Sequence, residues 1–215
     1  MPSTPLPRPA VTPDRDPPSC IGVLLAAGAG SRYRQAGGAG NKLHATLADG
    51  MPIAAHAAAR LCAAVARVVA LVAPDDAFLT RRLADLGCVV LPAPAAGGPD
   101  GGMGSTLAAA MQWLLAHGDG HTHALVALGD MPWVAPETLR AVAAQPSAHA
   151  VAAPLVQGRR GHPVRFARAL WPELAALRAD VGGREILRRH GVHAVPLEDP
   201  GALRDVDVPQ DLNAA

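Results

Sequence analysis

Residues 23–42 read VLLAAGAGSRYRQAGGAGNK: an apolar run, then a stretch with five glycines that ends on a lysine. Ile21 to Ala27 is continuously apolar, the pattern of a strand buried on both faces. Glycine directly after such a strand lets backbone N–H groups approach an anion closely, so the stretch reads as a phosphate loop. Two common phosphate loops fit it badly. A P-loop needs Gly-Lys-Ser/Thr at a helix start, and here Leu43 follows Lys42. The dinucleotide fingerprint needs a third glycine where Tyr33 stands, beside Arg32.

Outward from this loop the chain alternates short apolar runs with helical stretches. Pro52 to Ala66 is Ala-rich with a proline in its first turn, hence helix. Strands are expected at Val68–Ala73, Cys88–Leu91, Ala124–Leu128, Ala148–Pro154 and Val192–Pro196. Helices are expected at Asp75–Leu86, Ser105–His117 (capped by Gly104 or Ser105) and Pro136–Ala144, with helical patches near 167–177 and 183–190. Repeated β-α-β units with right-handed crossovers give a mostly parallel Rossmann-like sheet in a three-layer α/β/α fold. Ligands of such sheets bind at the carboxyl ends of the strands.

Composition sets the class. The 215 residues suit one domain, and half are apolar with few aromatics. A formal charge of +1, with no basic stripe, argues against a nucleic-acid partner. No apolar run reaches the roughly 18 residues of a transmembrane helix, so no membrane partner is expected. Cys20, Cys62 and Cys88 are scattered within apolar stretches and read as reduced, buried thiols of a cytoplasmic protein. Residues 1–19 hold seven prolines and read as a disordered leader, which leaves 20–215 as the domain.

Three further stretches fall at strand ends or helix starts. Asp130 in Gly129-Asp130-Met131-Pro132 ends the Ala124–Leu128 strand, where it could cap a helix or hold Mg²⁺. Gly101-Gly102-Met103-Gly104-Ser105-Thr106 opens a helix, as ordinary capping or as a second anion or base nest. Asp205-Val206-Asp207-Val208-Pro209-Gln210-Asp211 places Asp205 and Asp207 on one side of an extended strand. On residues alone it reads as a solvated end segment with an Asx turn.

Taken together these stretches resemble the molybdenum cofactor guanylyl- and cytidylyltransferases and their nucleotide-diphospho-sugar-transferase-like relatives. The resemblance rests on Leu25-Ala26-Ala27-Gly28-Ala29-Gly30-Ser31-Arg32 and Lys42, on Gly102 to Leu107, and on Gly129 to Pro132. It continues through Gly161-His162-Pro163-Val164-x-Phe166, Asp180-Val181-Gly182-Gly183-Arg184 and Asp205 to Asp211. Lys42 comes later after Arg32 than in the family, and residues 33–41 read as a small Gly/Ala-rich insertion. The later motifs are most similar to the cytidylyl branch.

The resemblance implies a Mg²⁺-dependent nucleotidyltransferase that moves CMP from CTP to molybdopterin and releases pyrophosphate. It implies that Asp130 and Asp207 hold Mg²⁺, and that Gly28, Gly30, Ser31, Arg32 and Lys42 bind the triphosphate. Leu25, Ala26 and Ala27, with Gly102, Gly104 and Ser105, would line the base and ribose. His162 and Arg184 would contact the acceptor, and a receiving molybdoenzyme would be a partner. The alternatives are a sugar phosphate or phospho-lactate acceptor, guanylyl transfer from GTP, or a non-catalytic nucleotide-binding carrier.

Overall fold

The computed structural model describes residues 19–95, 102–179 and 183–213. The expected leader therefore falls outside the described residues, except Ser19, as do Gly101 and the Asp180-Val181-Gly182 part of one motif.

The apolar run at the head of the glycine loop forms β1 (Cys20–Ala26). It pairs in parallel with β2 (Val68–Val72) on one side and β4 (His123–Leu128) on the other. Leu25 is in register with both Leu71 and Leu128. β3 (Val89–Pro92) extends the parallel set beyond β2. The crossovers are α2 (Ile53–Cys62), α3 (Ala77–Asp85) and α4 (Met103–His117), preceded by the short α1 (Ser31–Gln35), and α5 (Pro136–Ala143) follows β4.

Alternation along the strands feeds two cores. Leu24 and Ala26 join Leu61, Leu83, Leu139 and Val142 under α2, α3 and α5. Ile21 and Val23 join Met111, Leu114 and Trp171 under α4 on the opposite face. This is the expected three-layer α/β/α arrangement, and the sheet is mostly parallel.

The irregular part of the sequence completes the sheet. From β5 (Val151–Val156) the chain turns at Gln157-Gly158, both at positive φ, and returns antiparallel as β6 (Arg159–Arg160) and β7 (Val164–Ala167). β7 lies between β4 and β5, and the strand order is β3-β2-β1-β4-β7-β5-β6. α6 (Trp171–Ala175), α7 (Arg184–His190) and β8 (His193–Pro196) follow, and β8 pairs with β5 in parallel. Sequence reading misses β6 and β7 because their polar residues break the apolar pattern. The key exception is Arg165, which is 0% exposed in β7. Its guanidinium donates to the carbonyls of Gln145, Pro146 and His149, so the α5–β5 connection supplies the bonds that water would have made.

Other expectations shift in detail. The α4 cap is Gly102 at φ 132, not Gly104 or Ser105, because Ser105 lies inside the first turn. The three cysteines are free, yet Cys62 and Cys88, far apart in sequence, approach to 3.7 Å between sulfurs. Among the described residues no helix is long and apolar enough to cross a membrane.

The last described segment runs back over the strand ends. A Cβ at Gly201 would lie 2.2 Å from the Trp133 carbonyl oxygen, and one at Gly161 would lie 2.2 Å from that of Ala202. His162 N–H donates to the Ala202 carbonyl at 2.9 Å, and Val206 N–H to the Asp130 carbonyl at 2.9 Å. Residues 204–208 are thus seated on the rim through the Val206 main-chain bond, the buried Val206 side chain and the stacking of Arg204 on Trp133, rather than through strand pairing. Gly201→Ala should force backbone apart here, since no flexible side chain can yield. We expect a loss of about 1–3 kcal/mol, read as a lower midpoint in urea unfolding. An unchanged midpoint would show that the segment rests loosely on the rim.

Candidate active site at the strand ends

The glycine loop is shaped around one lysine. Gly30 sits at φ 63 at the start of α1, and a Cβ there would meet Lys42 N at 3.1 Å and Cγ at 3.2 Å. Glycine is needed both for the left-handed turn and for the close approach. Behind it Tyr33 is buried, and residues 36–41 fold back over its ring. A Cβ at Gly38 would fall 2.2 Å from Tyr33 ring carbons, so glycine admits the ring. Asn41 Oδ1 then accepts from Leu43 N–H at 3.1 Å and starts the 3₁₀ turn Lys42–His44. The insertion thereby returns Lys42, only 9% exposed, to the ends of the central strands.

There Lys42 Nζ donates to Asp130 Oδ2 at 2.7 Å and to Asp207 Oδ1 at 3.3 Å. Arg32 donates to the other Asp207 oxygen at 3.0 Å, from a mostly exposed side chain. Asp130 is placed by Gly129, whose N–H donates to the Leu25 carbonyl at 2.9 Å and whose missing Cβ admits Ala26. Asp207 is placed by Asp211, whose Oδ2 accepts from the N–H groups of Asp207 and Val208, each at 2.8 Å. Asp211 is a turn cap rather than a member of the charge cluster.

The electrostatics follow from this packing. Burial lowers the Lys42 pKa, but the charges and hydrogen bonds of Asp130 and Asp207 outweigh it and leave it above the ordinary lysine value. Burial raises Asp207, but Lys42 and Arg32 outweigh it and hold the carboxyl below its usual value. The Asp205 carboxyl is pushed up by desolvation and by the nearby charges of Asp130 and Asp207.

Beside this cluster opens a cleft of about 690 Å³. Leu25, Leu107, Val126, Leu128 and Phe166 form its apolar wall. Arg160, His162 and Arg184 are its polar members. The His162 pKa is lowered by burial, against the opposing pull of Asp130, and Nδ1 has no hydrogen-bond partner among the described residues. Arg160 and Arg184 form no ion pair among the described residues. Arg160 escaped the sequence reading, although its place two residues before His162 on an extended chain was a usable signal.

The structure thus brings Arg32, Lys42, Asp130 and Asp207 together, and sets Leu25, His162 and Arg184 around one cleft. Gly102 and Gly104 sit at the start of α4. Ser105 is turned inward, its Oγ accepting from Ala179 N–H at 2.7 Å. Among the described residues no group of three or more His, Cys, Asp or Glu could hold a metal. The pair Asp130 and Asp207 is nevertheless a fitting donor set. Two hard carboxylate oxygens already converge on one cation, and Mg²⁺ typically takes one or two carboxylates plus substrate phosphate oxygens.

Residues 22–195 match the model of the MobA-like NTP transferase domain. No curated protein matches the chain. Among solved structures, Rv0371c of Mycobacterium tuberculosis is similar at 23% identity and a TM-score of 0.75, over 92% of this chain and 100% of that one. A structure of Rv0371c in complex with manganese matches at 24% identity and a TM-score of 0.68, over 91% and 96% of the two chains. A nucleotidyl transferase from Methanothermobacter thermautotroptrophicus matches at 20% identity and a TM-score of 0.72, over 90% and 94%. At these identities the likeness is one of fold.

Proposed function

The chain belongs to the MobA-like NTP transferase domain family, and from that premise we propose that it moves CMP from CTP to a molybdopterin-type acceptor. The carrying observation is the Lys42 ammonium between Asp130 and Asp207, beside the glycine loop at the carboxyl ends of β1 and β4. An acceptor phosphate oxygen bonds to the α-phosphorus of CTP while the bond to the β-phosphate oxygen breaks, releasing pyrophosphate.

Such chemistry rests on positioning and charge stabilisation, so no covalent nucleophile is required. Backbone N–H groups at Gly28 and Gly30, the Ser31 hydroxyl, and the Arg32 and Lys42 cations would take the β- and γ-phosphates. Leu25, Ala26, Ala27 and the α4 start at Gly102 and Gly104 would face the base and ribose, while Ser105, expected there too, is turned inward and holds the Ala179 main chain. His162 and Arg184 line the cleft in which the acceptor would lie. Asp130 and Asp207 would hold Mg²⁺, which supplies charge neutralisation at the reacting phosphates. The manganese complex of Rv0371c, a protein of similar fold, supports a divalent ion here.

CTP is favoured over GTP because Ala27 follows Ala26, where the guanylyl enzymes place glycine, and the methyl group narrows the base pocket. With molybdopterin as acceptor, pyrophosphate release from CTP should exceed that from GTP by at least about tenfold, or 1.4 kcal/mol. Ala27→Gly should shrink the ratio without abolishing turnover. GTP turnover equal to or above that with CTP would sink the nucleotide assignment. No turnover with any nucleotide, alongside measurable CTP binding, would point to a carrier.

A further inference from the structure

We infer that Lys42 acts as a built-in counter-cation, which keeps the carboxylate pair poorly accessible to a divalent ion until a triphosphate draws the ammonium away. This rests on the reading of Asp130 and Asp207 as the metal-holding pair. Lys42 lies against the glycine loop at Gly30 and also touches one oxygen of each acid, at 2.7 and 3.3 Å. A Cβ at Gly30 would lie 3.1 Å from the Lys42 main-chain nitrogen and 3.2 Å from its Cγ, so the stem of the side chain lies against the glycine loop where a triphosphate would bind.

The remaining groups around the pair sharpen the point. Arg32 takes the second Asp207 oxygen at 3.0 Å, while the imidazole of His162 lies near Asp130 and Asp205 adds one more carboxylate. A bare divalent cation would have to share both inner oxygens with a buried ammonium, and like charges in a weakly screened site repel strongly. A nucleotide triphosphate changes this balance, because its β- and γ-oxygens offer the ammonium other acceptors. The metal then enters with the nucleotide rather than before it. Lys42 thus sets the order of binding as well as neutralising phosphate.

The test uses Mn²⁺ as probe, with the free ion followed by electron paramagnetic resonance during titration of the full chain. Without nucleotide, Lys42→Met should bind Mn²⁺ at least about tenfold more tightly than the native protein. CTP should tighten the native protein strongly and Lys42→Met much less. Asp207→Asn added to Lys42→Met should cancel the gain. A melting curve confirms folding of each variant, and Lys42→Gln serves if the methionine variant does not fold.

Equal or weaker Mn²⁺ binding by the charge-free variant overturns the inference. If in that case Asp130→Asn and Asp207→Asn still weaken Mn²⁺ binding in the presence of CTP, the carboxylate pair stands and only the counter-cation role falls. If neither substitution has any effect with CTP, the metal-holding reading itself fails.

Discussion

Asp130→Ala is expected to lower turnover by about a hundredfold or more, roughly 2.7 kcal/mol of transition-state stabilisation, while the protein stays folded. The carboxylate sits at the end of β4, on a turn pinned by the bond from Gly129 N–H to the Leu25 carbonyl. That bond is main chain and survives the substitution, as does the bond from Val206 N–H to the Asp130 carbonyl. The Asp130 side chain caps no helix. Its side-chain hydrogen-bond partner is Lys42 Nζ at 2.7 Å. Its removal therefore leaves the scaffold in place and strips one of the two acids proposed to hold the metal. Single-turnover rates with saturating CTP, beside a melting curve, decide the matter. A variant that keeps more than about a tenth of the native rate, a loss under roughly 1.4 kcal/mol, would remove Asp130 from the reaction.

Asp207→Asn is expected to raise the Mg²⁺ concentration for half-maximal rate by at least about tenfold, a 1.4 kcal/mol effect. The change keeps the shape of the side chain but loses the charge that draws Lys42 and Arg32. Two neighbouring acids serve as internal controls. Asp205→Asn should act more weakly, since Asp205 contributes charge near the pair while the bonds from Lys42 go to Asp130 and Asp207. Asp211→Asn should cost mainly stability, because the Asp211 carboxylate accepts from the main-chain N–H groups of Asp207 and Val208 rather than from the Lys42 and Arg32 cations. Equal Mg²⁺ dependence for native and Asp207→Asn enzyme would return this segment to a plain surface turn.

The parallel half of the sheet was legible in the residues. Strands such as Ile21–Ala26 and Val68–Val72 are apolar on both faces, and helices between them carry local start and stop signals. Those patterns depend only on neighbours in sequence. Of the antiparallel part, β5 was legible but β6 and β7 were not, because they contain Arg159, Arg160 and Arg165. A buried arginine reads as surface until the carbonyls of Gln145, Pro146 and His149 are seen around it.

The site divides in the same way. The glycine loop, with its strand before and its arginine within, announces phosphate from sequence alone, since only backbone geometry is at stake. Asp130 also stands out at a strand end, though the residues could not tell a cap from a ligand. Asp207 is different. Its own neighbours describe a solvated turn, and the reason for an acid there lies at Asp130 and Lys42, remote along the chain. The resemblance pairs Asp207 with Asp130, and tertiary structure shows how they meet, through close glycine contacts at Gly161 and Gly201 that seat the last segment on the rim. It alone showed that the inserted loop folds over Tyr33 and still delivers Lys42 to the carboxylates. Local pattern determines elements, because hydrophobic periodicity and turn chemistry act over a few residues. Charge pairing between distant segments depends on packing, which no local pattern encodes.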